Sequence, residues 1–405
     1  MTRCDEKVVV IGLGAMGSAV LYQLARLGTK ALGIDRFAPP HAMGSSHGET
    51  RITRQAVGEG AQYMPLVTQS HAIWRDLQKQ TGERLFVECG TLIIAPGSAP
   101  SSHHGKPNFV DRSACVAKRC GIPHEVLRGD EIRRRFPVLI GVQDDDIAYF
   151  EPGGGFVIPE SCVSVQLARA EDMGATTRTG EAVRAIRQVG DIVEIETKSG
   201  TLRAERAVVA AGPWNGPLLG APFDRLLIVK RQVLHWFETD DPTDQLARLP
   251  VLIWMHGATD VDHFYGFPPL DGARSMKVAT EQYETAADPD ALDRVVHADE
   301  PSAMYTQHLQ GRVDCVVGTP VKSAVCAYTV TPDQGFIIDT HPQMNRVTVI
   351  SACSGHGFKH SAGIGRAVAQ WLVQGRSDVD LAPFSLSRFA SLRPPLPLKA
   401  EPRGD

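Results

Sequence analysis

The chain has 405 residues, of which 42 are lysine or arginine and 46 are aspartate or glutamate, giving a formal net charge of −4. This balance indicates no nucleic-acid-binding face, and the length allows two domains or one large domain with a second embedded in it. The eight cysteines are too sparse for a disulfide scaffold and include no CxxC pair. We therefore expect reduced thiols, a cytoplasmic protein and no metal site.

The first elements form a βαβ unit. A continuous β-branched strand is predicted at 7–11, a helix at about 15–27 and a second strand at 31–35. The apolar run at 8–22 contains three glycines and is shorter than the ~20 residues that a membrane span requires. We therefore expect no membrane association.

The turn between this strand and helix reads Gly12-Leu-Gly-Ala-Met-Gly17. In such a turn Gly12 permits the tight bend, Gly14 lets a pyrophosphate approach the backbone, and Gly17 lets the helix pack on the strand. Asp35, at the end of the second strand, is placed to bind ribose hydroxyls. The pattern predicts a dinucleotide site without separating FAD from NAD, and the alternative is a glycine-rich turn that binds nothing.

A second motif is the glycine- and arginine-containing segment 44–54, which is followed by Glu59. It holds Arg51 and Arg54, whose planar guanidinium groups suit bidentate binding of a carboxylate. The alternative is a surface loop with solvated arginines.

The rest of the chain alternates between helical and strand patterns. An amphipathic helix is predicted at 66–79 and an exposed Pro/Ser/Gly/His loop at 96–107. Strands are predicted at 192–197, 207–211, 229–237, 251–255, 263–267, 276–280, 336–339 and 347–351, and a final helix at about 357–372 that ends at Gly375.

These elements predict an α/β fold, with a Rossmann-type dinucleotide-binding domain and an inserted antiparallel-sheet substrate domain. The binding domain is assigned to 1–88, 152–222 and 322–390, and the substrate domain to 89–151 and 223–321. Residues 391–405 are proline-rich and charged, and we expect them to be a disordered tail.

Two further motifs lie near the end of the chain, around Cys326 and in Ser354-Gly-His-Gly-Phe-Lys359. If the dinucleotide is a flavin, Cys326 could attach it covalently and Lys359 could face its reactive ring. The alternative for Cys326 is a buried structural cysteine.

Together with segment 44–54, the motifs Ala324-Val-Cys-Ala-Tyr328 and 354–359 resemble the monomeric sarcosine oxidase family, whose relatives include N-methyltryptophan oxidase and L-pipecolate oxidase. The resemblance extends over about 7–390 and includes 265–268, 276–277 and 384–388. It implies a monomeric FAD enzyme that oxidises secondary or cyclic amino acids to imines and reduces O2 to hydrogen peroxide.

The resemblance also implies roles for individual residues. Cys326 matches the cysteine joined through sulfur to the flavin, and Lys277 matches the lysine that promotes the reaction with oxygen. Arg54 and Lys359 match the pair that fixes the substrate's carboxylate. The implied substrate-site residues are Lys277, Arg54, Lys359, Tyr265, Tyr328 and Glu281. The implied cofactor-binding residues are Gly12, Gly14, Met16, Gly17, Asp35, Arg36, Ser45, His47, Thr50, Arg51, Val183, Cys326, Gly355, His356, Gly357 and Lys359.

The chain departs from the family pattern at two positions. Glu281 stands where sarcosine oxidase has a pocket histidine, and Ser46 replaces a histidine near the flavin. A carboxylate at 281 would attract a cationic amine or a basic side chain, unless it points away, and either case makes sarcosine a doubtful substrate.

Two other functions stay open at this point. One is an FAD-dependent dehydrogenase of the same fold that uses an acceptor other than oxygen, in which Lys277 would have no catalytic role. The other is a non-catalytic dinucleotide-binding protein. Composition alone would make Lys277 a lysine at a strand edge in water.

Overall fold

A computed structural model describes residues 4–99, 101–259 and 261–390. The predicted tail at 391–405 lies outside these residues. In the described part of the chain the α-helices are α1 Ala15–Arg26, α2 Met64–Thr81, α3 Phe109–Cys120, α4 Gly129–Arg135, α5 Pro159–Asp172, α6 Asn215–Leu219, α7 Phe223–Leu226, α8 Asp299–Met304 and α9 Ser361–Gln374.

The strands in the same residues are β1 Glu6–Ile11, β2 Ala31–Ile34, β3 Arg51–Thr53, β4 Phe86–Val87, β5 Thr91–Pro96, β6 Ser102–His103, β7 Lys106–Pro107, β8 Glu125–Arg128, β9 Asp146–Glu151, β10 Gly155–Val157, β11 Thr176–Arg178, β12 Val183–Val189, β13 Ile192–Thr197, β14 Gly200–Val209, β15 Ile228–Thr239, β16 Val251–Met255, β17 His263–Phe267, β18 Ser275–Ala279, β19 Val316–Val330, β20 Ile337–His341 and β21 Met344–Ser351.

The first large sheet has the order β11-β2-β1-β14-β13-β12, with β21 also paired to β14 and β20 to β21. Its centre is parallel, from β11 through β2 and β1 to β14 and β21. Val8, Val9 and Val10 are all buried, as expected for a central strand covered on both faces. This is the predicted Rossmann-type sheet.

Helices α1 and α9, which come from opposite ends of the chain, pack closely beside this sheet. A Cβ atom on Gly365 of α9 would lie 2.5 Å from the carbonyl carbon of Ala19 on α1. The two backbones can therefore approach each other only because residue 365 has no side chain. Helix α9 ends at Gly375, whose φ of 71° is the left-handed cap that the sequence predicts.

The second large sheet has the order β19-β15-β18-β17-β16-β5-β9-β8. Neighbouring strands are antiparallel, as predicted, except for β5 and β16, which run parallel. The 15-residue strand β19 crosses the proposed domain boundary between 321 and 322 and pairs along its length with β15. It therefore carries Cys326 and Tyr328 on the second sheet.

The segment 96–107 is only in part the exposed loop that its composition predicts, since 97–99 is exposed but the histidines further along are not. Strands β6 and β7 form a small hairpin here, and His103 and His104 are buried at 4% and 8% exposure. The prediction was wrong for these two residues because His104 lies between two buried carboxylates and His103 packs against Phe109, which composition does not reveal. In the described residues no helix is both long and apolar enough to cross a membrane.

Candidate active site

The glycine turn after β1 has the geometry that the motif predicts. Gly12 has a φ of 86°, and a Cβ there would lie 2.5 Å from the carbonyl oxygen of Ala210. A Cβ on Gly17 would lie 1.7 Å from the carbonyl oxygen of Gly12. The close contact between turn and helix therefore excludes side chains at both positions.

Asp35 is buried at the end of β2 and is held by backbone amides. Its Oδ2 accepts a hydrogen bond from the amide of Leu13 at 2.7 Å, and its Oδ1 accepts one from Phe37 at 2.8 Å. A carboxylate has about four acceptor positions, so Asp35 keeps capacity for ribose hydroxyls.

A long cleft runs from Asp35 to the turn before α9. The predicted cofactor residues that line it are Gly12, Gly14, Met16, Asp35, Arg36, Ser45, Arg51, Val183, Gly355 and Gly357, together with the predicted substrate-site residue Tyr328. Among the described residues, Gly17, His47, Thr50, Cys326, His356 and Lys359 are not part of this lining. The lining joins the N-terminal glycine turn to the C-terminal motifs, as an extended dinucleotide requires.

Cys326 lies next to the cleft and is fully buried. Its Sγ atom is 3.6 Å from Nη2 of Arg51, which also donates to the carbonyl oxygen of Ser45 at 2.8 Å. The hydroxyl of Ser45 in turn donates to the carbonyl oxygen of Ala327. The sulfur of Cys326 therefore lies beside a fixed positive charge. Tyr328 and Tyr265 pack in the same apolar cluster as this cysteine.

Lys277, on β18, is buried at 3% exposure, which rules out the alternative of a lysine in water. Its Nζ donates to the carbonyl oxygens of Gly48 at 2.6 Å and Thr50 at 2.9 Å, and to the hydroxyl of Thr50 at 3.0 Å. Burial, and then the charge of Arg51, hold the pKa of Lys277 well below its ordinary value. Nearby, burial and Arg51 lower the pKa of His47 to about 3, so this histidine is neutral.

Arg54 and Lys359 converge on one carboxylate, that of Glu59. Nη2 of Arg54 lies 2.8 Å from Oε2 of Glu59, and Nζ of Lys359 lies 3.4 Å from Oε1. All three side chains are buried, so Arg54 is not the solvated loop arginine of the alternative interpretation. Burial opposes ionisation of Glu59, but the two cations outweigh it and hold the pKa of Glu59 well below its usual value. Burial lowers the pKa of Lys359 to about 8, with Glu59 opposing that shift.

His104 is the main site residue that the sequence did not reveal. Its Nδ1 lies 3.2 Å from Oε1 of Glu59 and its Nε2 lies 2.8 Å from Oε1 of Glu281. Glu281 therefore neither points away nor remains free for a cationic substrate, since His104 already lies against it. The sequence signal was weak: a histidine pair before Gly105, in a segment with loop composition.

The side chain of His356 faces away from the long cleft. Its Nε2 donates to the carbonyl oxygen of Gln334 at 3.0 Å, and its ring stacks on Phe336. It lines a separate polar cavity, which Glu59 and Tyr63 also line. Its assignment as a cofactor residue stays a prediction. The support for it is that the adjacent residues Gly355 and Gly357 line the long cleft.

His103, His263 and Glu281 place three potential metal-ligating atoms within 4.8 Å of one another. Both oxygens of Glu281 already accept hydrogen bonds, one from His104 and one from the hydroxyl of Tyr283 at 3.0 Å. The carboxylate of Glu281 is therefore already engaged within the protein, and the lack of a metal stays a prediction.

Comparison with known proteins identifies the class that this fold and cleft define. Residues 7–371 match the family described as FAD dependent oxidoreductase. The chain is 35% identical to monomeric sarcosine oxidase of Bacillus sp. strain NS-129, over 95% of this chain and 97% of that protein. It is 34% identical to N-methyl-L-tryptophan oxidase of Yersinia pestis, over 95% of this chain and all of that protein.

Solved structures of lower identity share the fold. NikD, an unusual amino acid oxidase of nikkomycin biosynthesis, superposes with a TM-score of 0.81 at 24% identity, covering 94% of this chain and 96% of that chain. L-proline dehydrogenase from P. horikoshii superposes with a TM-score of 0.79 at 16% identity, covering 96% of this chain and 98% of that chain.

The protein is thus a dinucleotide-dependent redox enzyme with a two-sheet α/β fold. It belongs to the FAD-dependent oxidoreductase family, in the group that contains the monomeric sarcosine oxidases. The predicted fold, family and enzyme class are confirmed, and a non-catalytic binding protein is excluded as the alternative.

Proposed function

We propose that this enzyme oxidises the C–N bond of a secondary or cyclic amino acid and passes the electrons to oxygen. The observation that carries the proposal is the convergence of Arg54 and Lys359 on one buried carboxylate. Two buried cations at that place can hold the carboxylate of an amino acid and thereby orient its amine.

The electron balance follows from the cofactor that the family binds. Bound FAD would supply the acceptor for a hydride equivalent from the C–H beside the amine nitrogen. The amine loses two electrons and two protons and becomes an imine, which is released or hydrolysed, and O2 takes up the two electrons and two protons as hydrogen peroxide. The amine must be neutral to react, so turnover rises with pH as the bound substrate deprotonates.

The remaining assignments support this reaction. Covalent attachment through Cys326 would hold the cofactor permanently, and Arg51, 3.6 Å from the sulfur, would place a positive charge beside the bonding atom. Lys277 would stabilise negative charge that develops on oxygen. The backbone at Gly14 would hold the pyrophosphate, with Gly12 and Gly17 keeping the turn tight. Asp35 would bind the ribose, and the turn at Gly355 and Gly357 the flavin end. The proposed domain boundaries, a monomeric state and a cytoplasmic location stay predictions.

Purified holoenzyme tests the proposal in a screen that measures peroxide. N-methyl and cyclic amino acids are compared with the same amines lacking the carboxylate. We expect one peroxide for each amine consumed, and at least about tenfold higher kcat/KM for the acids, since hydrogen bonds to charged groups contribute about 1.5–3 kcal/mol each. Equal rates with both sets would contradict a carboxylate site. Oxidation of the amino acid by an artificial acceptor, without peroxide, would favour the dehydrogenase alternative.

A further inference from the structure

His104 occupies a left-handed backbone conformation that is uncommon for residues other than glycine. Its φ is 51° and that of Gly105 is 64°, so the two residues form the tip of the hairpin between β6 and β7 with both φ angles positive. Asparagine or glycine is the usual first residue of such a turn. A non-glycine residue is held there when other contacts over-determine its position, which is characteristic of functional sites.

Those contacts fix the protonation state of the imidazole. Each ring nitrogen lies within hydrogen-bond distance of a carboxylate oxygen, at 3.2 Å from Glu59 and 2.8 Å from Glu281. A neutral imidazole has one N–H and cannot donate to both, whereas an imidazolium can. Burial opposes the charge, but Glu281 and then Glu59 raise the pKa of His104 to about 9.

Three polar side chains near His104 and Glu281 add no charge, and the further titratable side chain at Glu281 is His263, whose Nε2 lies 3.8 Å from Oε2 of that carboxylate. The ring of His103 lies 4.0 Å away and that of His356 lies 5.1 Å away. Burial lowers the pKa of His103 well below its ordinary value and that of His356 to about 3, so both are neutral. Burial likewise raises the pKa of Tyr283, which donates to Glu281, so that hydroxyl is also neutral.

The charged groups linked through His104 do not balance. The cations Arg54, Lys359 and His104 lie against two carboxylates, those of Glu59 and Glu281. One positive charge is in excess among these five side chains, and a buried excess charge favours binding of an anion. Without the imidazolium, the four remaining groups would be neutral overall, and the site would lose its attraction for a carboxylate.

We propose that His104 is a positioning residue. Its imidazolium charge compensates the charge of Glu281 and part of the charge of Glu59, so that Arg54 and Lys359 stay available to one substrate carboxylate. The inference rests on the proposed function and deepens it: the site takes a monocarboxylate with an uncharged side chain, because Glu281 has no charge left for a basic group.

The test uses the holoenzyme with His104→Asn and His104→Gly, which both tolerate a positive φ and so preserve the hairpin turn. Binding of acetate, as a simple carboxylate probe, is followed by the change in flavin absorbance, and kinetics are measured on the substrate found by the peroxide screen. We expect Kd for acetate and KM to rise at least tenfold while kcat changes less than threefold. His124→Asn, a change outside the site, should alter neither.

A charge rescue separates this role from a structural one. The double variant His104→Asn with Glu281→Gln removes one cation and one anion together, which restores the single positive excess. It should recover acetate affinity to within about threefold of the wild type, a result that a damaged hairpin would not give. It also keeps the test decisive if either single variant fails to fold.

Two results would overturn the inference. One is acetate affinity in the folded single variants that equals that of the wild type, and the other is a double variant no better than His104→Asn. Acetate binding does not depend on turnover, so a wild type that binds acetate but oxidises no amino acid would contradict the proposed function alone. A wild type that binds no carboxylate would contradict both.

Discussion

The guanidinium group of Arg54 lies 2.8 Å from the carboxylate of Glu59, with both side chains 2% exposed. The cation expected to hold a substrate's carboxylate is therefore already paired with an internal anion. Substrate binding must exchange one carboxylate for another, or share the cation between them. The affinity for substrate thus depends on how firmly Glu59 is held.

Replacing Glu59 with Gln removes this internal competitor. We expect carboxylate probes to bind more tightly, since Arg54 and Lys359 lose their anion. The free protein should be less stable by about 3–5 kcal/mol, the usual cost of breaking a buried ion pair. Thermal unfolding with and without acetate measures both effects, and acetate should raise Tm more in the variant than in the wild type.

Glu88→Gln is the matched control, because Glu88 pairs with Arg75 at the surface, where both side chains are more than 40% exposed. An exposed pair contributes at most about 1 kcal/mol. If acetate raises the Tm of Glu59→Gln no more than that of the control, Glu59 does not compete with substrate for the two cations.

Binding of a carboxylate should weaken at alkaline pH. Lys359 has a pKa lowered to about 8, so it is charged below that pH and loses its charge above it. Affinity should therefore be full below about pH 8 and fall as the pH rises through 8 and then through 9, where His104 titrates. Acetate titrations from pH 6 to 10 measure this. In Lys359→Met the fall in acetate affinity near pH 8 should disappear. If that fall persists in the variant, a group other than Lys359 causes it.

Lys277→Met should slow the reaction of the reduced enzyme with oxygen far more than its reduction by substrate. Nζ of Lys277 has three acceptors, which match the three N–H groups of a charged ammonium. A positive charge about 4 Å from a developing anion contributes up to about 4 kcal/mol at an effective dielectric constant near 20, or roughly a thousandfold in rate. Stopped-flow measurement of the two half-reactions separates them.

Lys322→Met controls for the loss of a lysine, since Lys322 also lies over the ring of Trp236 but is exposed and paired with Glu49. Unchanged oxygen reactivity in Lys277→Met would favour the dehydrogenase alternative.

Cys326→Ala should release the flavin when the protein is precipitated with acid, leaving a white pellet where the wild type gives a yellow one. Cys353→Ala is the control, because Cys353 lines the long cleft and is the other thiol close to the cofactor end. Burial raises the pKa of Cys353, which disfavours its thiolate. A pellet that stays yellow in Cys326→Ala and turns white in Cys353→Ala would reverse the assignment.

The parts of the fold that could be predicted are those encoded locally. The glycine turn at 12–17 and the cap at Gly375 each depend on neighbouring residues, and β16 and β17 have the predicted bounds. The contacts of His104 could not be predicted from the sequence. This histidine is separated from Glu59 by 45 residues and from Glu281 by 177 residues, and no local pattern links them. Only the tertiary fold shows that the carboxylate at 281 is neutralised from within.

The close contact between α1 and α9 has a consequence for biosynthesis. A ribosome adds about 5–20 residues per second, so α9 emerges tens of seconds after α1. Until then the face of α1 beside Ala19, which α9 covers through Gly365 in the finished protein, stays exposed on the nascent chain. The nucleotide-binding half therefore cannot complete its folding before α9 has been synthesised, and chaperones that shield apolar helices should associate with the nascent chain until then.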